Sequence, residues 1–232
     1  MFSKIVSCGI RGVEGYQVAI ETDISSGGLP SLTMVGYLSE EVREAQERVR
    51  TALRNSGFLL PPRRITTNLS PAGLRKDGTA FDLAIAVSIL CCLEDELSKT
   101  ASQAVFLGEL GLNGEIKPVN GMISRVYCAR QAGFSRCFVP RENVKEGTVV
   151  EIVGVSNLLE QVELLRHPDR IKGRWFDGKS FEKSLKQRTE AAVSSQTGAE
   201  EAEAAALDYA DICGQTTVKR AMETAAAGRH SC

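Results

Sequence analysis

Apolar and polar positions alternate with short periods through the first two thirds of the chain, and turn residues separate the periodic segments. "KIVSCGI" (4–10) and "YQVAIETDI" (16–24) are apolar, β-branched runs parted by Gly12 and Gly15, which predicts a β-hairpin. "LPSLTMVG" (29–36) predicts another strand. Residues 39–56 carry the clearest helical stripe, Val42, Ala45, Val49, Ala52 and Leu53. Ser39 is placed to cap it, Glu40 and Glu41 suit its first turn, and Gly57 ends it. "RRITTNL" (63–69) predicts a strand, and the run from Ala80 to Leu93 a buried helix on which Cys91-Cys92 pack into the core. Thr79 followed by Asp82 predicts a weak capping box at its start.

Beyond that helix, "AVFLGELGL" and "EIKPV" flank Asn113-Gly114, a strong two-residue hairpin signal. Gly108, Gly111 and Gly114 there fit turns and bulges, not a dinucleotide fingerprint. A helix over 121–132, strands at 136–140 and 148–155, and a helix over 156–165 complete the pattern. Hairpins mixed with helices predict an α+β domain over residues 1–166, in preference to a doubly wound sheet.

Composition shifts near Arg166. "AAVSSQTGAEEAEAAA" (191–206) has no aromatic or large aliphatic cluster to offset its ordering entropy, so 167–206 reads as a linker. A new amphipathic pattern starts at Leu207, and 207–232 reads as the truncated start of a second domain. Residues 173–180, "GRWFDGKS", satisfy GxxxxGK[ST]. Arg, Trp, Phe and Asp would form the cradle, and such bulk hinders the close backbone wrap that phosphates require. A chance match in a linker is the expectation.

Charge narrows the function classes only a little. The net charge of −1 gives no global attraction to nucleic acid or membrane, so any basic patch must be local. Arg48, Arg50, Arg54, Arg63, Arg64, Arg75 and Lys76 would form one if helix 39–56 lies near loop 70–78. Among them Arg63, Arg64, Arg75 and Lys76 are the candidate DNA-backbone contacts, against the plain reading of the cluster as a solvated face paired with Glu44 and Glu47. The seven cysteines include no CxxC pair and the two histidines stand far apart, so buried thiols are expected and a metal site is not. With no secretory signal and no apolar run long enough to span a bilayer, the expectation is a cytoplasmic protein without a membrane partner.

The stretch from Asn68 to Leu165 resembles the proteolytic domain of Lon-type proteases, whose site reads Lys-Asp-Gly-Pro-Ser-Ala-Gly. Here the same place holds Lys76-Asp77-Gly78-Thr79-Ala80-Phe81-Asp82, followed by Gly108-Glu109, Gly114 and Pro118-Val119-Asn120-Gly121. The serine position is Ala80 and the lysine position is Ile123, so the resemblance implies a Lon-like fold without its Ser–Lys dyad. The closer resemblance is to the magnesium-chelatase-like AAA+ ATPases of the YifB and competence-protein ComM group. It rests on "GLPSLTMVG", "ITTNLSPAGLRKDGTAFDL" and "DYADICGQTTVKRAMETAAAGRH" (208–230).

That resemblance implies a non-catalytic Lon-like accessory domain in a DNA-directed motor acting in branch migration or natural transformation. It also implies ATP and magnesium as cofactors, bound outside this segment, DNA as partner, and a homo-oligomeric ring. Ile212, Gly214 and Gln215 fall where such ATPases pass beneath the adenine, and the phosphate loop would follow residue 232. Two other readings stay open: a serine or threonine peptidase with a displaced nucleophile, Thr79 or Ser70, and a metal-insertion chaperone of the chelatase type.

Overall fold

The computed structural model describes residues 1–27, 29–146, 150–171 and 175–177. Ile212, Gly214, Gln215 and the whole 207–232 segment lie outside the described residues, as does the linker from 178 to 206.

The opening hairpin forms as the alternation predicts. Strands β1 (Phe2–Arg11) and β2 (Glu14–Ile24) pair antiparallel from Phe2↔Asp23 to Arg11↔Glu14. Strand β3 (Ser31–Val35) leads into helix α1 (Glu40–Asn55), whose start is capped by the Ser39 hydroxyl accepting from Val42 N. All five residues of its predicted stripe are buried. Strand β4 (Arg64–Ser70) follows, then helices α2 (Asp82–Leu93) and α3 (Asp95–Ala101) and strand β5 (Ala104–Phe106). The Asn113-Gly114 turn joins the two-residue strands β6 (Glu109–Leu110) and β7 (Ile116–Lys117). Gly114 sits at φ +85, and a Cβ there would meet the Ser56 hydroxyl, so side-chain-free backbone is required twice over.

Helix α4 (Met122–Gln131), strand β8 (Arg136–Pro140), strand β9 (Glu151–Val155) and helix α5 (Leu158–Arg166) come next. The chain does not leave the fold at Arg166, where the linker was expected. A 3-10 turn over Pro168–Ile171 buries Ile171, and strand β10 (Trp175–Asp177) pairs antiparallel with β9. The expected boundary is corrected on this point: composition flagged a loss of apolar periodicity, but backbone pairing onto an open sheet edge needs none.

The sheet has eight strands in the order β10-β9-β8-β5-β1-β2-β4-β3. Pairs β1/β5, β5/β8, β8/β9 and β3/β4 are parallel, and β1/β2, β2/β4 and β9/β10 antiparallel. The architecture is therefore mixed α/β, with more parallel pairing than the hairpin count suggested. Helices cover both faces. Alternate residues of the central strands divide between two cores, since side chains of a strand point to opposite sides. Ile5, Phe106, Phe138 and Val153 join the core under α1 and α2, while Cys8, Val105, Cys137 and Ile152 join the one under α4. Helix α2 is apolar around its whole circumference and buried from Asp82 to Cys92, as such a helix must be. Each fully buried Leu or Ile contributes about 1.5–3 kcal/mol by removal from water.

Candidate functional site

Loop 71–81 joins the end of β4 to the start of α2 and is fixed on several sides. Lys76 N donates to Tyr37 O at 2.9 Å, and Ser39 N to Lys76 O at 2.9 Å, which ties the loop to the entry of α1. The Tyr16 hydroxyl donates to Arg75 O at 2.7 Å from β2. Gly78 takes φ +81, a conformation glycine adopts without strain and which turns the chain toward the helix.

Inside this loop the Lys76 side chain is fully buried, at 0% exposure. Its Nζ donates to Pro71 O and, at 2.8 Å, to Leu74 O. Desolvation lowers its pKa, because the ammonium has exchanged water for carbonyl dipoles. Lys76 is thus an internal pin of the loop, and its expected role as a DNA contact is corrected: its charge does not reach the surface.

The other three candidate contacts do not gather around it. Arg75 pairs with Asp77 at 3.0 Å on the exposed side of the loop. Arg63 and Arg64 are exposed at the opposite end of β4. A seven-residue strand separates the two groups, roughly 20 Å at 3.3 Å per residue. Arg48, a member of the expected basic cluster, keeps Glu44 at 3.5 Å but turns mainly inward to Asp82.

Where a Lon-type nucleophile would stand, Ala80 is 1% exposed and packs with Leu107, Val119 and Met122. Its carbonyl accepts from Gly108 N at 3.0 Å, and Leu83 N returns a bond to Gly108 O at 3.1 Å. Backbone of the β5–β6 segment therefore covers the start of α2. Ile123, at the position of the base, is 64% exposed on α4. One position is sealed in the core and the other faces solvent, so they line no common cleft.

The displaced nucleophiles are also engaged. Thr79 does not cap α2, as its spacing to Asp82 predicted; the residue before the helix is Phe81, with no side-chain cap. The Thr79 hydroxyl instead donates to Glu109 Oε2 at 2.5 Å, reaching across to β6. Ser70 Oγ accepts from Asn68 Nδ2 at 2.9 Å.

The residue that sequence reasoning undervalued is Asp82. Its carboxylate is 1% exposed and accepts from Arg48 Nε at 2.8 Å, Arg48 Nη2 at 3.2 Å and Leu110 N at 3.3 Å. Burial raises its pKa to about 6, against the downward pull of the Arg48 guanidinium. A signal was present: an acidic residue inside the apolar run "AFDLAIAVSIL" must find a partner when buried. Among the described residues no group of three or more His, Cys, Asp or Glu is arranged to hold a metal, and no helix is long and apolar enough to cross a membrane.

Residues 20–143 match the family model for subunit ChlI of Mg-chelatase. The chain belongs to the magnesium-chelatase-like ComM/YifB family. It is 33% identical over 230 residues to competence protein ComM of Haemophilus influenzae, covering 98% of this chain and 42% of that protein. It is 34% identical over 220 residues to YifB of Escherichia coli, 95% of this chain and 40% of that protein. A shorter match, 36% over 94 residues, links it to DNA repair protein RadA of Streptococcus pneumoniae, covering 39% of this chain and 22% of RadA. The chain spans about two fifths of the length of its ComM and YifB relatives.

Proposed function

We propose that the described domain is a non-catalytic, Lon-like accessory domain of a magnesium-chelatase-like AAA+ ATPase. In this reading the full-length protein is a homo-oligomeric ring that uses ATP and magnesium to drive DNA rearrangement, such as branch migration in recombination or transformation. The observation that carries the non-catalytic part is the burial of Ala80 at the nucleophile position, with Ile123 turned to solvent. A nucleophile needs a hydroxyl or thiol and a base within hydrogen-bond reach. Neither position supplies one. The names of ComM and RadA, a competence protein and a DNA repair protein, support the DNA-directed part.

Within this reading, Arg63 and Arg64 at the exposed start of β4 are the DNA-backbone contacts, with Arg75 a separate and weaker one because Asp77 competes for it. The ATP site belongs to the segment beginning at Leu207, where Ile212, Gly214 and Gln215 resemble the adenine side of such a pocket. For the peptidase alternative, Thr79 has the Glu109 carboxylate within hydrogen-bond reach, whereas Ser70 only accepts from Asn68 Nδ2.

The test uses the full-length protein. Replacing the domain's candidate contacts, Arg63 and Arg64, by Ala is expected to leave DNA-independent ATP hydrolysis intact and to weaken DNA stimulation. Unchanged DNA stimulation, or cleavage of unfolded casein by the protein, would sink the reading.

A further inference from the structure

Strand β3 is an end strand of the sheet, and among the described residues no strand pairs with its outer side. It runs parallel to β4 in the register Ser31↔Arg64 to Val35↔Asn68, and Ser31 N donates to Arg63 O at 3.4 Å. Successive residues of a strand aim their backbone groups to opposite sides of it. Ser31, Thr33 and Val35 therefore bond to β4, and the N–H and C=O groups of Leu32 and Met34 point off the sheet. Such a row binds another strand, and native sheets blunt it with charge, a bulge or a covering segment. Residues 29–38 carry no charged side chain. Leu29, Val35 and Tyr37 are instead exposed, Val35 at 47% and Tyr37 at 53%. Pro30, which has no N–H, bounds the row on its N-terminal side.

We propose that β3 is a homotypic docking edge, which pairs antiparallel with β3 of a second copy about a twofold axis at Thr33 and continues the sheet across two chains.

Charge complementarity selects a second copy as the occupant. Arg63 and Arg64 stand exposed beside the start of β3, where Ser31 pairs with Arg64. Just past its other end α1 opens with Glu40 and Glu41, both exposed, followed by Glu44. Arg75 at that end is held by Asp77, which leaves Arg43 as the opposing cation. One end of the edge is thus basic and the other acidic. A twofold axis sets each basic end against the acidic end of the other copy, so the edge carries the charge pattern that its own antiparallel copy requires. The contact is isologous and closes on two chains, which makes it distinct from the cyclic ring proposed above and independent of that reading.

The backbone sets the register. With Leu32 opposite Met34 of the second copy, every outward N–H and C=O of the strand finds a partner. Sliding by two residues sets Met34 against Pro30, which has no N–H to give, or Leu32 against Gly36, beyond the end of the strand. The matched register places the two Thr33 residues opposite each other as a non-hydrogen-bonded pair, with Cα atoms about 4.5 Å apart. Thr–Thr pairs at such positions are favourable. Side chains on both faces suit the continuation: Leu32 and Met34 lie on the core side under α1, while Ser31 and Val35 are exposed on the opposite face. A five-residue pairing buries less than the roughly 1,200 Å² of a standard stable interface, so the dimer is expected to be weak.

The experiment uses the full 232-residue chain carrying Cys213→Ser and Cys232→Ser, since the cysteines among the described residues are all buried. Sedimentation velocity from about 5 to about 500 μM should show a concentration-dependent monomer–dimer equilibrium. Val35→Lys, which sets a cation beside Arg64 of the second copy, should raise the dissociation constant at least about tenfold. Thr33→Cys under copper phenanthroline should yield a disulfide-linked dimer, because the paired Cα spacing lies within disulfide reach. Thr66→Cys, paired with Thr33 one strand further in, should stay monomeric under the same oxidant. Hydrogen exchange at the Leu32 and Met34 amides should slow as protein concentration rises. A chain that stays monomeric over the whole range, or equal cross-linking from Thr33→Cys and Thr66→Cys, would overturn the proposal. So would protection of the two amides that does not depend on concentration, the mark of a segment of the same chain covering the edge.

Discussion

Arg48 on α1 and Asp82 at the first position of α2, 34 residues apart in sequence, hold each other Nε to Oδ2 at 2.8 Å. The carboxylate stands where the buried helix meets the β6 strand and also accepts from Leu110 N. Three elements are therefore joined at one acidic side chain that water does not reach. Removing one partner leaves an uncompensated buried charge, which costs about 3–5 kcal/mol. Arg48→Ala should lower the urea midpoint accordingly. Asp82→Leu combined with Arg48→Met should recover most of the loss, since an apolar pair of similar volume avoids desolvating any charge. A single Arg48→Ala as stable as the parent would show that the pair contributes nothing.

The same carboxylate gives the stability a pH dependence of definite sign. Its pKa is about 6 in the folded chain, against an ordinary value of 3.8 when the chain is unfolded. Between these values the folded state binds more protons, so stability falls as pH rises from about 4 to 6 and is flat above. The difference between parent and Asp82→Asn isolates this contribution, of order 2–3 kcal/mol at most. Urea unfolding at pH 4.5 and 7 should show the parent gaining on the variant at the lower pH; a gain at the higher pH contradicts the assignment.

Catalytic repair of the Lon-type position should fail. Ala80→Ser places a hydroxyl in a sealed core, in one cluster with Leu107 and Met122, while Ile123, at the base position, faces solvent. A fluorophosphonate probe is expected to label neither the parent nor Ala80→Ser, and unfolded casein should stay intact with both. Stoichiometric labelling at Thr79 would restore the displaced-nucleophile reading, with Glu109 as the base within its hydrogen-bond reach.

Binding to DNA, if it runs through the exposed start of β4, should fall steeply with salt and ignore base sequence. Arg63→Ala with Arg64→Ala should weaken affinity and flatten the salt slope by about one to two. Lys76→Met, by contrast, should leave the slope unchanged and lower stability, since the lysine serves only the carbonyls of Pro71 and Leu74. A salt slope reduced by Lys76→Met would return that residue to the DNA face.

"GRWFDGKS" should not bind nucleotide. Trp175–Asp177, three residues inside the motif, are extended and paired with Val153, Ile152 and Glu151 of β9. A phosphate cradle needs those positions curled so that successive N–H groups converge. Lys179→Ala should leave ATP hydrolysis by the full-length protein unchanged, and a loss of Mg²⁺-dependent binding would make the match a true phosphate loop.

The sequence by itself determined the local elements. Periodicity and caps located α1 from Ser39 to Gly57, alternation located β1 and β2, and Asn113-Gly114 located the β6–β7 turn, because each signal acts within a few residues. That Ala80 carries no hydroxyl and Ile123 no amine was equally legible, since it follows from side-chain identity alone. Only the tertiary structure decided where the charges went. A lysine in a basic loop looks like a surface contact, yet folding placed Lys76 on two carbonyls and separated Arg75 from Arg63 and Arg64 by the length of β4. Arg48 and Asp82 became partners through the packing of α1 on α2, a contact with no spacing rule to announce it. Strand β10 was missed for a related reason: an edge strand gains its stability from backbone groups of β9, and backbone hydrogen bonding leaves little mark on side-chain pattern.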